Sequence, residues 1–172
     1  LYFGFNRDDR GRKVFDGLLA DVAGGGRGGF NMRFAQPSRD SNPFQNTLTP
    51  VDIFPFTDLE QTDPQTGAKD GLLTHVLPPE FWPKIFYMNS EYEYYGRAAS
   101  LIHITLDGTG DAKLAPSTRI YMFSGGQHGP AQFPPARRNT QNLPNPNPYT
   151  WTFRALLAAM DAWVKDGVEP PP

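Results

Sequence analysis

The chain lacks cysteine altogether, and this absence excludes several kinds of chemistry. Without a thiol, the 172 residues cannot form a disulfide, supply a cysteine nucleophile or bind a metal through thiolate. Basic residues are also scattered, and 16 Lys and Arg against 18 Asp and Glu give a formal net charge of −2. Binding to a polyanion needs a clustered basic face, so we expect no nucleic-acid partner.

Long apolar runs are missing as well. No window approaches the roughly 18 consecutive apolar residues that a membrane span requires, so we expect no span. Residues 1–5 have neither the basic start nor the apolar length of a signal peptide, and the chain has no initiator Met. These features predict a chain that starts partway through a domain, and they leave its localisation open between cytoplasm and export.

Proline and glycine, by contrast, are abundant, with 18 and 17 residues. Proline removes a backbone donor and fixes φ, so the Pro-rich stretch 37–80 cannot hold long helices or strands. A long loop of this kind inside a compact domain is usually functional. We therefore predict a lid-like or insertion-like segment at 37–80, anchored to the body through Phe44, Phe54 and Phe56.

Four apolar segments predict an α/β fold. Residues 84–88 and 118–123 are short apolar runs bounded by turn residues, as buried parallel strands are. Residues 14–23 predict a third strand or strand edge, although their length does not separate a strand from a short helix. Residues 151–166 repeat apolar side chains every three or four positions and predict a helix with Thr150 as its N-cap. Mostly parallel strands with flanking helices in one domain over residues 1–172 are the expected architecture.

Charged and imidazole side chains follow two of these strands. Glu91 and Glu93 come just after residues 84–88, and His128 follows residues 118–123 through a Gly-rich bend. The carboxyl ends of parallel strands meet at one edge of a sheet, where such folds place their sites. A catalytic His needs a carboxylate on one ring nitrogen. We therefore expect His128 to contact a carboxylate, with Glu93 as the partner.

Structural roles remain open for the same residues. A lone His on a loop is more often a surface residue, and Glu91 and Glu93 could cap the next helix. The other two histidines, His75 and His103, have apolar neighbours that favour packing. The many aromatic residues also leave open a non-catalytic binding domain, in which they would form a platform for a sugar or peptide. The residues of that platform would be Trp82, Tyr92, Tyr94, Tyr95 and Trp151.

A glycine run at residues 24–29 invites a phosphate-loop interpretation. It lacks the Lys-Ser/Thr ending of such a loop, and no helical pattern follows it. A tight backbone crossing or a flexible turn is the better interpretation.

Motifs along the whole chain combine into one pattern. They include Leu-Tyr-Phe-Gly-Phe-Asn at 1–6, Phe-Asn-Met-Arg-Phe-Ala-Gln-Pro-Ser-Arg at 30–39, Asn-Ser-x-x-Glu-Tyr-x-Gly-Arg at 89–97 and Ser-Gly-x-Gln-His-Gly at 124–129. In this combination the chain resembles the bacterial α/β-hydrolase-domain family of predicted serine esterases. The resemblance implies the C-terminal part of an α/β-hydrolase sheet, with His128 as general base and Glu93 as the acid that orients it. It further implies a small-molecule ester substrate, no metal or organic cofactor, and a segment 37–80 that caps the site.

The family's nucleophile motif, Gly-x-Ser-x-(Ser/Thr)-Gly-Arg, does not occur in this chain. In the family this motif shortly precedes the Leu-Tyr-x-Gly-Phe-Asn stretch, so the resemblance places the nucleophile and the oxyanion donors before Leu1. None of four serines that could be considered has the motif around it: Ser38, Ser90, Ser100 and Ser124. We therefore expect the chain to be the C-terminal half of a hydrolase, with the N-terminal half as its partner, either continuous with it or as part of a split enzyme.

Overall fold

A three-stranded parallel sheet forms the centre of the fold. The computed structural model describes residues 6–26, 53–74, 78–137 and 139–172. Five strands lie in these ranges: β1 (Gly17–Asp21), β2 (Gln61–Thr62), β3 (Lys69–Asp70), β4 (Lys84–Ser90) and β5 (Thr118–Phe123). The central sheet has the order β1-β4-β5, and β2 and β3 form a separate antiparallel pair. The three predicted strand regions are therefore confirmed.

The register of the sheet brings its carboxyl ends together. Asp21 of β1 pairs with Met88, and Ser90, the last residue of β4, pairs with Phe123. The residues that follow these strands consequently leave the sheet at one edge. The crossover from β4 to β5 contains a short α-helix and a 3-10 turn.

Helices cover both faces of this sheet. Helix α1 spans Glu91–Gly96, α2 spans Thr150–Asp166, and 3-10 helices span Pro79–Phe81 and Ala99–Ile102. The predicted N-cap of α2 is wrong by one position, because Tyr149 occupies the cap and Thr150 is the first helical residue. Gly167 ends α2 as expected, with a φ of 70° that favours glycine.

The hydrophobic core consists of two clusters, one on each face of the sheet. Successive strand side chains point to opposite faces, so Phe86 and Met88 meet α2, where Met160 and Trp163 are buried. The rings of Phe86 and Trp163 stack at 5.8 Å. Phe86 has no exposed surface, which corresponds to about 1.5–3 kcal/mol of burial free energy. The opposite face carries Ile85 and Tyr87, packed against Ala99 and Ile102.

Part of the Pro-rich segment is anchored to strands β4 and β5 through Asp58. Asp58 is buried and accepts hydrogen bonds from the Tyr87 hydroxyl at 2.8 Å and from Thr118 Oγ1 at 2.5 Å. Burial raises the pKa of Asp58, and these two hydrogen bonds oppose the rise. Thr118 begins β5, so this anchor lies at the strand end opposite to His128.

The aromatic anchoring of this segment is confirmed in part, since Phe56 is buried. Residues 37–52, which include Phe44, and residues 75–77 lie outside the described residues. The lid-like role of segment 37–80 therefore stays a prediction. In the described part of the chain, no helix combines the length and apolar character needed to traverse a bilayer.

Candidate active site

His128 and Glu93 meet at the carboxyl edge of the sheet. His128 Nδ1 lies 2.5 Å from Glu93 Oε1. The Glu93 side chain has no exposed surface, whereas the His128 side chain is 55% exposed. The contact expected from the sequence is present, with the carboxylate inside and the imidazole facing outward.

Glu93 is fixed by the start of helix α1. Ser90 is the N-cap, and Glu93 is the third helical residue, so the two form a capping box. The Ser90 backbone N–H donates to Glu93 Oε2 at 3.0 Å, and the Ser90 hydroxyl donates to the same oxygen. Glu93 therefore both caps the helix, as the structural alternative predicted, and contacts His128. One carboxylate oxygen caps the helix and the other faces the imidazole.

This arrangement selects the His128 tautomer. An ionised carboxylate can only accept hydrogen bonds, so Nδ1 carries the proton that points at Glu93. In the neutral ring, Nε2 then holds a free lone pair. Because the ring is half exposed, this lone pair can accept a proton from a group brought up to the sheet edge.

Side-chain hydrogen bonds brace the loop that carries His128. Glu91 Oε2 accepts the Gly125 N–H at 2.7 Å, and Gln127 Nε2 donates to the Gly129 carbonyl at 2.6 Å. Gln127 Oε1 also accepts the Asn145 N–H at 3.1 Å, so this side chain supports the loop on both sides. Glu91, by contrast, joins the start of α1 to the bend after β5, a role that no local sequence signal indicated.

Residues near the end of the Pro-rich loop at 130–149 add further support. The Tyr149 hydroxyl donates to the His128 carbonyl at 2.7 Å, and Asn145 Nδ2 donates to the Gly125 carbonyl. Tyr149 is buried, and burial is the main cause that raises its pKa. Sequence reasoning missed both residues. The only available signal was their place in the alternating Asn-Pro-Asn-Pro-Tyr stretch at 145–149, directly before α2.

Asp21 brings another carboxylate to this edge. It is the last residue of β1, and burial followed by the charge of Glu93 raises its pKa, while the His128 imidazole lowers it. The sequence pattern marked it only as the end of an apolar segment. The candidate site therefore contains more negative charge than the Glu93–His128 pair alone.

The other candidates fall elsewhere. Ser90 is fully buried and its hydroxyl is bonded to Glu93, so it cannot serve as a nucleophile in this arrangement. His103 packs its ring against Tyr94 at 5.5 Å and does not contact His128. His75 and Ser38 lie outside the described residues.

The aromatic residues proposed for a platform are distributed over separate elements. Tyr92 lies edge-on to His128 at 5.9 Å, and Tyr94 and Tyr95 contact each other on α1. Trp151 instead contacts Arg154 on α2. The described ring contacts thus connect Tyr92 with the candidate site and leave Trp151 on another helix.

The glycine run begins with a close backbone approach. Gly25 N–H donates to the Arg97 carbonyl at 2.8 Å, and Gly24 has a φ of +71°. A Cβ at Gly24 would lie 2.6 Å from the Arg97 carbonyl oxygen. The predicted backbone crossing is confirmed for these two residues. Nearby, the Asn89 side-chain carbonyl accepts the Gly24 N–H at 3.0 Å, so Asn89 supports the backbone of the glycine run.

The fold and the candidate site together define the class of protein. Parallel strands that present a buried carboxylate after one strand and a His after the next are the arrangement of α/β hydrolases. A family model described as alpha/beta hydrolase domain matches residues 2–172, and the chain belongs to this family. No curated protein and no solved structure matches the chain. Among the described residues, no group of three or more His, Asp or Glu side chains is arranged to hold a metal ion.

Proposed function

We propose that this hydrolase domain cleaves carboxylic esters with a Ser-His-Glu triad, of which the chain supplies His128 and Glu93. The observation that carries the proposal is the 2.5 Å contact between His128 Nδ1 and Glu93 Oε1. Its geometry is that of a base held by an orienting carboxylate. The nucleophilic Ser is assigned to residues that precede Leu1.

The chemistry proceeds in two half-reactions. His128 Nε2 takes the proton of the Ser hydroxyl as the Ser oxygen attacks the ester carbonyl, and the imidazolium then protonates the leaving alcohol. Water attacks the acyl-enzyme with the same His as base, which releases the acid and restores the Ser hydroxyl. Glu93 stays ionised and stabilises the imidazolium in both steps.

The proposal also treats residues 1–172 as the C-terminal portion of one α/β-hydrolase domain. Among the described residues, β1 has a strand partner only on its β4 side. An unpaired strand edge is a site where another strand can add. Val14 and Phe15, just before β1, are each 46% exposed. We assign this edge to the preceding half of the domain, whether continuous with the chain or supplied as a separate polypeptide, and we treat residues 37–80 as a lid-like or insertion-like segment within the domain.

The test uses the natural protein with a short p-nitrophenyl ester and a fluorophosphonate probe. His128→Ala should reduce hydrolysis by at least about 10⁴-fold, because the base is lost. The probe should label a Ser that precedes Leu1. Asn142→Ala, in an exposed part of the loop at 130–149, is the control and should keep wild-type activity.

Two results would contradict the proposal. Undiminished hydrolysis by His128→Ala would remove His128 from the mechanism. A native protein that neither hydrolyses esters nor reacts with the probe would favour the non-catalytic binding domain.

A further inference from the structure

A cavity lies on the sheet face opposite α2, beside Ala99 and Ile120. Its volume is about 440 Å³, and neither His128 nor Glu93 lines it. Sites for small molecules commonly measure roughly 300–1,000 Å³ and combine apolar walls with few polar groups. This cavity likewise has mainly apolar walls and a few polar side chains. Its apolar wall includes Ala99, Leu114, Ile120 and Met122.

Asn89 supplies a polar group in this cavity. The residue is 4% exposed and lies near the end of β4, on the same face as Ile85 and Tyr87. Its Oδ1 accepts the Gly24 N–H at 3.0 Å, and this donor fixes the orientation of the amide. Among the described residues, Asn89 Nδ2 has no hydrogen-bond partner. The Asn89 N–H₂ group is therefore free to donate a hydrogen bond to a ligand acceptor placed in the cavity.

Two rings form part of the cavity wall. Tyr94 and His103 lie 5.5 Å apart with an interplanar angle of 32°, and both line the cavity. His103 Nδ1 is 4.0 Å from the exposed Asp111 carboxylate. Aromatic walls favour a flat ligand that can stack or meet a ring edge.

We propose that this cavity binds a small planar aromatic molecule whose carbonyl oxygen accepts a hydrogen bond from Asn89 Nδ2. The aromatic body occupies the space between the Tyr94–His103 pair and the apolar wall. The site is distinct from the Glu93–His128 pair, and the inference does not depend on ester hydrolysis.

Acetophenone is a suitable probe because it joins a flat ring to one carbonyl acceptor. Titration of the natural protein, followed by ¹H–¹⁵N NMR, should give saturable shifts of the Asn89 side-chain N–H₂ signals. Ethylbenzene, which has a similar shape and no oxygen, should bind more weakly. Asn89→Asp keeps an acceptor for the Gly24 N–H but removes the donor, and should weaken acetophenone binding about tenfold. Asn142→Asp makes the same change on an exposed loop and should leave the affinity unchanged.

A second variant tests the cavity without altering Asn89. Ala112 lines the cavity, and Ala112→Phe should fill it and abolish saturable binding. Acetophenone that binds either Asn89→Asp or Ala112→Phe as it binds wild type would overturn the proposal. So would a wild-type protein that shows no saturable shifts at Asn89, or shows them only around the exposed Trp151.

Discussion

Replacement of Glu93 by Gln separates the two roles of this carboxylate. Three donors converge on the buried side chain: the Ser90 N–H, the Ser90 hydroxyl and His128 Nδ1–H. Glutamine has one acceptor oxygen and one N–H₂ donor group. The amide oxygen satisfies both Ser90 donors if it turns toward the helix start. The N–H₂ group then faces His128 and requires Nδ1 to become an acceptor.

The tautomer change sets the size of the effect on activity. With Nδ1 as acceptor, the proton moves to Nε2, which in the proposed mechanism can no longer take a proton from Ser. Loss of the correct tautomer reduces turnover about 10⁴-fold, equivalent to about 5.5 kcal/mol of transition-state stabilisation. The capping box survives in Glu93→Gln, so the free energy of unfolding should fall by only about 1 kcal/mol.

Glu93→Ala should behave differently. It removes the acceptor for all three donors and the side-chain half of the capping box. Lost capping and unpaired buried donors should lower the free energy of unfolding by about 2–4 kcal/mol. The activity loss should be at least as large as in Glu93→Gln.

The assay combines kcat/KM for a p-nitrophenyl ester, denaturant unfolding and the ¹⁵N shifts of the His128 ring. Glu91→Gln is the matched control, because it lies on the same helix and can still accept the Gly125 N–H through its amide oxygen. It should keep kcat/KM within about threefold of wild type. The reasoning is refuted if Glu93→Gln retains more than a tenth of wild-type kcat/KM, or if its His128 ring keeps the wild-type tautomer.

Three further predictions concern stability and loop support. Burial raises the pKa of Asp58, so protonation of this carboxyl favours the folded state. This contribution to stability is lost as pH rises from the ordinary carboxyl pKa of about 3.9 through the raised pKa. Asp58→Asn should remove this part of the pH dependence, as measured by urea unfolding across that pH window. Gly24→Ala should lower the free energy of unfolding by about 2–3 kcal/mol, because it combines a positive φ with a clash, whereas Gly110→Ala, with open space around it, should change it by less than about 0.5 kcal/mol. Tyr149→Phe removes the hydroxyl that donates to the His128 carbonyl, and it should lower the free energy of unfolding by about 1 kcal/mol and reduce kcat. If neither the free energy of unfolding nor kcat changes, this hydrogen bond does not hold the loop.

Local patterns in the sequence were sufficient for the central elements. Residues 118–123 were predicted as a strand with the observed bounds, because a short apolar run between turn residues has the length of a strand. The expected burial is wrong for this strand, since only Thr118 is fully buried and Met122 is exposed. The last helix was predicted from its three- and four-residue apolar repeat, with an error of one position at the N-cap, where Thr150 offered a cap that Tyr149 occupies. The exit of β4 and β5 at the same edge brought Glu93 and His128 together as expected.

The sequence by itself thus determined where the strands of the central sheet lie, the family resemblance and the pair of residues at the sheet edge, because each depends on short-range periodicity or on residue type beside a strand end. Tertiary structure decided what surrounds that pair. Tyr149 and Asp21 approach it from α2 and β1, and Asp58 anchors the Pro-rich segment at the opposite end of the sheet. Hydrogen bonds and charges act through space between residues far apart in the chain, and no local pattern records which distant partner a side chain will meet.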